Sequence, residues 1–177
     1  MAADARGPDR RSYPSEAVSL ERLSHPDHLE LYRYWLARKP PDGLPHRRDF
    51  DPVDVPRLLP RLALIAAEPE GTRFRYRYRL AGTEIVARAG RDPTGKSFED
   101  LYRDDYLASA NALYDSLRES AEPHLSQRVF PIGDGVGFLR YDRLILPFAA
   151  DRITPDLFLL LIVVVEQSDL PRDKGSF

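Results

Sequence analysis

RFRYRYRLAGTEIVARAGRDPTGKSFEDL, residues 73–101, supports two incompatible readings, and the choice between them decides the fold. Its first part alternates without a fault. Phe74, Tyr76, Tyr78 and Leu80 fall on one face and Arg73, Arg75, Arg77 and Arg79 on the other, the period of a half-buried strand. Its second part, GRDPTGKS at 90–97, satisfies the phosphate-loop pattern G-x-x-x-x-G-K-[ST]. In that motif backbone N–H groups cradle phosphates, the Lys reaches the terminal phosphates, and the Ser or Thr hydroxyl holds Mg²⁺. Such a loop joins the first strand and first helix of a parallel sheet and needs further strand–helix units after it. Here two strands joined by a hairpin-sized connection precede the motif. Residues 98–177 read as one helix and then strands joined by short turns, which cannot make parallel crossovers. LLLIVVVE at 159–166 imitates an acid-ended Mg²⁺ strand, but it is the last strand and no helix follows it. A phosphate-loop nucleotide binder is therefore the alternative reading, and topology argues against it.

Working outward, 58–67 reads as the strand before the arginine-rich one, with Glu68-Pro69-Glu70-Gly71 as the hairpin connection. DFDPVDVPRLLP at 49–60 predicts a short capped turn with Asp51 as cap and Pro52 at the first helical position. Upstream, Leu29, Tyr32, Trp35 and Leu36 fall at helical spacing over 26–38. Ser24 or Asp27 is the cap and Pro40-Pro41-Asp42-Gly43 the stop. That helix either packs on the domain or makes a dimer contact, since it carries the only Trp. Downstream, Gly82, Gly90, Pro93 and Gly95 break 82–97 into helical turns and loops. A helix is expected over 98–118 with Leu101, Tyr102, Tyr106, Leu113 and Leu117 along one side, and Ser97 with Asp100 forms its capping box. Strands follow at 127–132, 138–147 and 156–166. Gly133-Asp134-Gly135 turns the first two antiparallel, and the last is apolar enough to be central.

Composition narrows function mainly by exclusion. The 26 basic and 28 acidic residues leave a formal charge of −2, so no global field draws the chain to nucleic acid or anionic lipid. Lys occurs only at 39, 96 and 174, and the Arg excess reads as GC-rich codon usage. With no Cys, disulfides, thiolate metal sites and cysteine nucleophiles are all excluded. The first residues lack the apolar core of a signal peptide, and the longest apolar run, 157–165, is too short to cross a bilayer as a helix. A cytoplasmic protein without membrane attachment is the expectation.

The order helix, two strands, helical turns, long helix, three antiparallel strands resembles the PAS arrangement. Gly82-Thr83-Glu84-Ile85 followed by Gly90-Arg91-Asp92 and Gly95-Lys96-Ser97-Phe98 is similar to the PAS pattern between second strand and long helix. More closely, Trp35, Leu44, Pro45, Arg47, Asp49–Pro52, Leu58–Pro60, Arg79–Thr83, Gly90–Asp92, Thr94 and Gly95 resemble the short stand-alone PAS proteins common in alphaproteobacteria. The resemblance implies an α+β fold: a PAS-like five-stranded antiparallel sheet with helices on one face and an N-terminal helical extension. Its limits are a flexible segment at 1–24, the domain at 25–167 and a tail at 168–177. It implies signal sensing or protein association, with a protein partner or a second copy of the chain, and no reaction.

The aromatic strand face and the helix are expected to bring Tyr76, Tyr78, Tyr102, Tyr106 and Tyr114 around a ligand pocket, or alternatively to fill an ordinary core. Trp35, Arg75 and Arg77 are the candidate interaction residues. For the arginine ladder the alternative is a solvated or ion-paired sheet face. Because alternation sends Arg and aromatic groups to opposite faces, they cannot clamp one RNA strand, and no nucleic-acid partner is expected. Haem-binding PAS domains commonly use a His on the long helix, and 98–118 has none; His25, His28, His46 and His124 lie elsewhere. Photoactive covalent flavin and coumaroyl versions need a Cys. A non-covalent flavin or small metabolite stays open, and the cofactor is not specified. Neither H-E-x-x-H, G-x-S-x-G nor a metal-spaced His cluster is present, so no catalytic or metal site is expected.

Overall fold

The computed structural model describes residues 16–132 and 137–167. The expected glycine turn at 133–135 and the terminal segments 1–15 and 168–177 lie outside these. The arginine-rich strand pairs with its neighbour: β2 (Leu62–Glu70) and β3 (Arg73–Ala81) form an antiparallel hairpin around Gly71, whose φ of 60° the turn requires. Three more strands follow, β4 (His124–Ile132), β5 (Gly137–Phe148) and β6 (Leu157–Gln167). With β1 (Glu16–Val18) at one edge, all pairings are antiparallel, in the order β1-β4-β5-β6-β2-β3. The sixth strand is β1 (Glu16–Val18), which pairs with β4 from within the segment read as flexible.

The central strand β6 is apolar because it has two faces to bury. On one, Leu159 and Leu161 join Leu62, Leu64, Leu144 and Leu146 beneath α1 (Pro26–Leu36), through Leu31 and Trp35. On the other, Phe158 and Leu160 join Ala63, Ile65 and Ile145 beneath Phe98, Tyr114 and Leu117. The face under α1 is also covered by apolar residues of the segment that follows it, Leu44, Phe50, Val55 and Leu58.

Local chemistry sets the remaining elements. α1 is capped by His25, whose Nδ1 accepts from Asp27 N at 3.2 Å, rather than by Ser24 or Asp27. Asp51 caps the turn Pro52–Asp54 by accepting from Val53 N at 2.9 Å. The expected helix over 98–118 is two helices, α3 (Phe98–Leu101) and α4 (Asp104–Ser120). The Ser97–Asp100 capping box closes a single turn, after which Tyr102 is extended and Asp104 takes a φ of 47°. α2 (Thr83–Ala89) ends at Gly90, in the left-handed region at φ 68°. The β2–β3 register shifts between Leu64 and Ile65, so Leu80 lies opposite Leu64 and not with the aromatic face. A bulge inserts one residue, which ends the alternation read from the sequence. Among the described residues, no helix is long and apolar enough to cross a membrane.

Candidate functional site

Strand register builds the floor of a cavity. Antiparallel pairing places Arg128 opposite Tyr141 and Tyr141 opposite Val164; one step along, Ser126 faces Arg143 and Arg143 faces Ile162. Alternation carries these rows, with Ile145 and Leu160, onto the sheet face that α4 covers. β2 pairs with β6 only from Leu62↔Leu161 to Ala66↔Leu157. From Ile162 onward, that edge of β6 lies beyond the pairing with β2. The chain crosses the gap with α2, held because Gly82 packs against the carbonyls of Leu59 and Pro60 and donates its N–H to Leu62 O at 2.8 Å. Between this splayed edge, α2 and α3–α4 lies a cavity of about 650 Å³, within the ordinary range for small-molecule sites.

Its walls are apolar at Ile85, Leu101, Leu160, Ile162 and Val164 and phenolic at Tyr78, Tyr102, Tyr106 and Tyr141. The Tyr78 and Tyr102 hydroxyls share a hydrogen bond of 2.8 Å, and the Tyr102 and Tyr106 rings meet edge-on at 4.7 Å. Arg128 Nη1 donates to the Tyr106 hydroxyl at 2.8 Å. Arg143, only 8% exposed, donates through Nε to Ser126 Oγ at 3.3 Å. Burial pushes the phenols of Tyr78 and Tyr141 up, so they stay neutral at physiological pH. His124 is held down to about 4, by burial first and then by the charge of Arg143. At one side of the cavity stands the root of α1. There Asp27 is bonded by Arg61 at 2.7 Å and Arg57 at 2.6 Å. Burial would raise this carboxyl, but the bonds from Arg61 and Arg57 outweigh that and keep its pKa below the usual value.

Of the five tyrosines expected at a pocket, Tyr78, Tyr102 and Tyr106 line this one. Tyr76 and Tyr114 lie in the packed cluster beside it. Tyr76 is fully buried and donates to Asp115 Oδ1 at 2.5 Å. Trp35 is a core residue, 1% exposed, with Nε1 donating to Pro147 O at 2.8 Å; it holds α1 to the sheet. Arg75 pairs with Glu70 at 2.5 Å and Arg77 with Glu68 at 3.0 Å, so the ladder is an ion-paired sheet face. Arg128, Tyr141 and Arg143 were not among the candidates. The signal was there: within YDRLI at 141–145, alternation places Arg143 on the same face as Ile145, a charge on an apolar strand face.

The phosphate-loop match is used otherwise. Thr94 N bonds Asp92 Oδ1 at 2.9 Å, Gly95 N bonds Tyr78 O at 2.8 Å, Lys96 N bonds Pro93 O at 2.9 Å and Ser97 N bonds Asp100 Oδ2 at 2.8 Å. The amides of Thr94, Gly95, Lys96 and Ser97 are thus engaged within the loop and with β3. Among the described residues, no group of three or more His, Cys, Asp or Glu could hold a metal ion.

Comparison with known proteins agrees with this architecture. The family described as PAS domain matches residues 23–163. No curated protein matches the chain.

Proposed function

The chain belongs to the PAS domain family, and from that premise we propose that it is a non-catalytic sensory module whose signal is a small molecule held between sheet and helices. The observation that carries this reading is the cavity itself. It has the size of a small-molecule site, an apolar lining, and a few placed hydroxyls and guanidiniums. Its position supports a route outward. The same cavity is bordered by Asp27, Arg57 and Arg61, which tie the start of α1 to the turn before β2. A ligand that binds better to one arrangement of these groups shifts the population of that arrangement, and α1 carries the change to a protein partner or a second copy of the chain.

Native mass spectrometry of the purified chain tests this, with Ile162→Trp as a cavity-filling variant and with Mg-ATP added in parallel. The wild type is expected to retain a small-molecule mass that the variant lacks, and neither is expected to bind ATP. A bare wild type that takes up no compound from a metabolite library would refute the sensor. Stoichiometric ATP binding, lost in Lys96→Ala, would restore the phosphate loop.

A further inference from the structure

The cavity's charge is at odds with that of the chain. In a protein of formal charge −2, its lining holds six arginines against two carboxylates. The two carboxylates do not balance the set where it is deepest. Asp27 is taken by Arg57 and Arg61 at one edge, and Glu84 belongs to α2 at the rim. On the floor, among the described residues, no carboxylate lies within ion-pairing distance of Arg128 or Arg143. Both keep their positive charge, since a guanidinium does not deprotonate in a protein. A buried charge left without a counter-charge is costly, so its retention needs a reason. Burial keeps the phenols of Tyr78 and Tyr141 neutral, so they do not supply the missing negative charge.

From these observations we infer that the cavity takes a small organic anion: an acidic head between Arg128 and Arg143, and an apolar body along Leu160, Ile162 and Val164. The inference rests on the ligand-binding reading above and names the ligand's chemistry. Register supports it. With Arg128 opposite Tyr141, Arg143 is its diagonal neighbour, roughly 7–8 Å away between strands. Two guanidiniums at that spacing can bracket one carboxylate. Arg143 is also oriented for the task, because its Nε is tied to Ser126 and its planar fork is thereby fixed while its terminal nitrogens remain for an acceptor.

The test uses the neutral fluorescent dye N-phenylnaphthylamine, which fills apolar cavities without reporting on charge. It is displaced in turn by octanoate and by octanol, which share a tail and differ in the head. The wild type and Arg79→Met, a control on the outer ladder, should release dye at an octanoate concentration roughly tenfold or more below that needed for octanol, because a hydrogen-bonded charge adds that much. Arg143→Met should close the gap while leaving octanol displacement unchanged. Arg128→Met, at a less buried position, repeats the test if Arg143→Met does not fold. Equal displacement by both compounds in the wild type, or a gap that survives in both folded variants, overturns the anion while leaving a neutral-ligand cavity standing. Failure of the dye and of both compounds to bind the wild type overturns the cavity reading, and this inference with it.

Discussion

His28 shows how a single residue couples burial to pH. It lies on α1 facing the sheet, 1% exposed, and its Nε2–H donates to the carbonyl of Leu161 at 3.3 Å. Burial holds its pKa down to about 4 from an ordinary 6.5, although the Leu161 bond pulls the other way. The unfolded chain then binds more protons than the folded one between those values, so stability is complete above about pH 6.5 and is lost as pH falls toward 4. At pH 5 the loss from this one group is on the order of 2 kcal/mol. Urea unfolding at about pH 7 and pH 5 should show it, and His28→Gln should remove only part of the difference, since His124, held equally low, adds a loss of similar size; an unchanged difference would mean that His28 is already charged when folded. At this scale the sequence was partly legible. Asp51, Ser97 and Asp100 could be assigned as caps because a cap needs only local chemistry. The burial of Trp35 and the exposure of Arg143 to a cavity depend on which strands lie beneath them, and no local pattern states that.

Gly82 is the joint between two elements. A Cβ there would stand 2.2 Å from Leu59 O and 2.3 Å from Pro60 O, both backbone atoms that cannot swing aside. The close approach sets α2 across the unpaired end of β6 and so forms one wall of the cavity. Gly82→Ala is expected to cost roughly 1–3 kcal/mol, as for other overpacked buried sites, and to weaken dye binding even where the fold survives. Thermal melting with N-phenylnaphthylamine fluorescence would check both, and a variant indistinguishable from wild type in each would remove α2 from the account. Strands and their pairing were largely legible, because alternation over 73–80 and a run as apolar as 157–163 leave few choices. Two features escaped for a physical reason. The bulge near Leu64 moves Leu80 off the aromatic face without a marker residue, and the break at Tyr102-Arg103 carries neither Gly nor Pro. What breaks the helix is a capping box that ends after one turn and the pull of Tyr102 toward Tyr78, the second a contact 24 residues distant.

For the molecule as a whole, the sheet separates two packed layers, and the cavity opens where the sheet is incomplete. α1 covers one face, α3 and α4 the other, and the end of β6 beyond Leu161 is where the two layers come nearest to sharing a space. That arrangement gives a ligand access to the root of α1, which a closed sheet would deny it. The order of elements was readable from spacing, and so was the conflict between GRDPTGKS and an antiparallel sheet. The cavity was not, because it results from two strands ending at different heights. Hydrogen–deuterium exchange of the full chain, with and without saturating N-phenylnaphthylamine, addresses the central claim most directly. A ligand cavity at this place predicts slowed exchange in Thr83–Ala89, in Phe98–Leu101 and along β6 from Ile162 to Gln167, with a smaller effect at the start of α1. Unchanged exchange in all of these segments under saturating dye, or protection confined to the arginine ladder of β3, would contradict it.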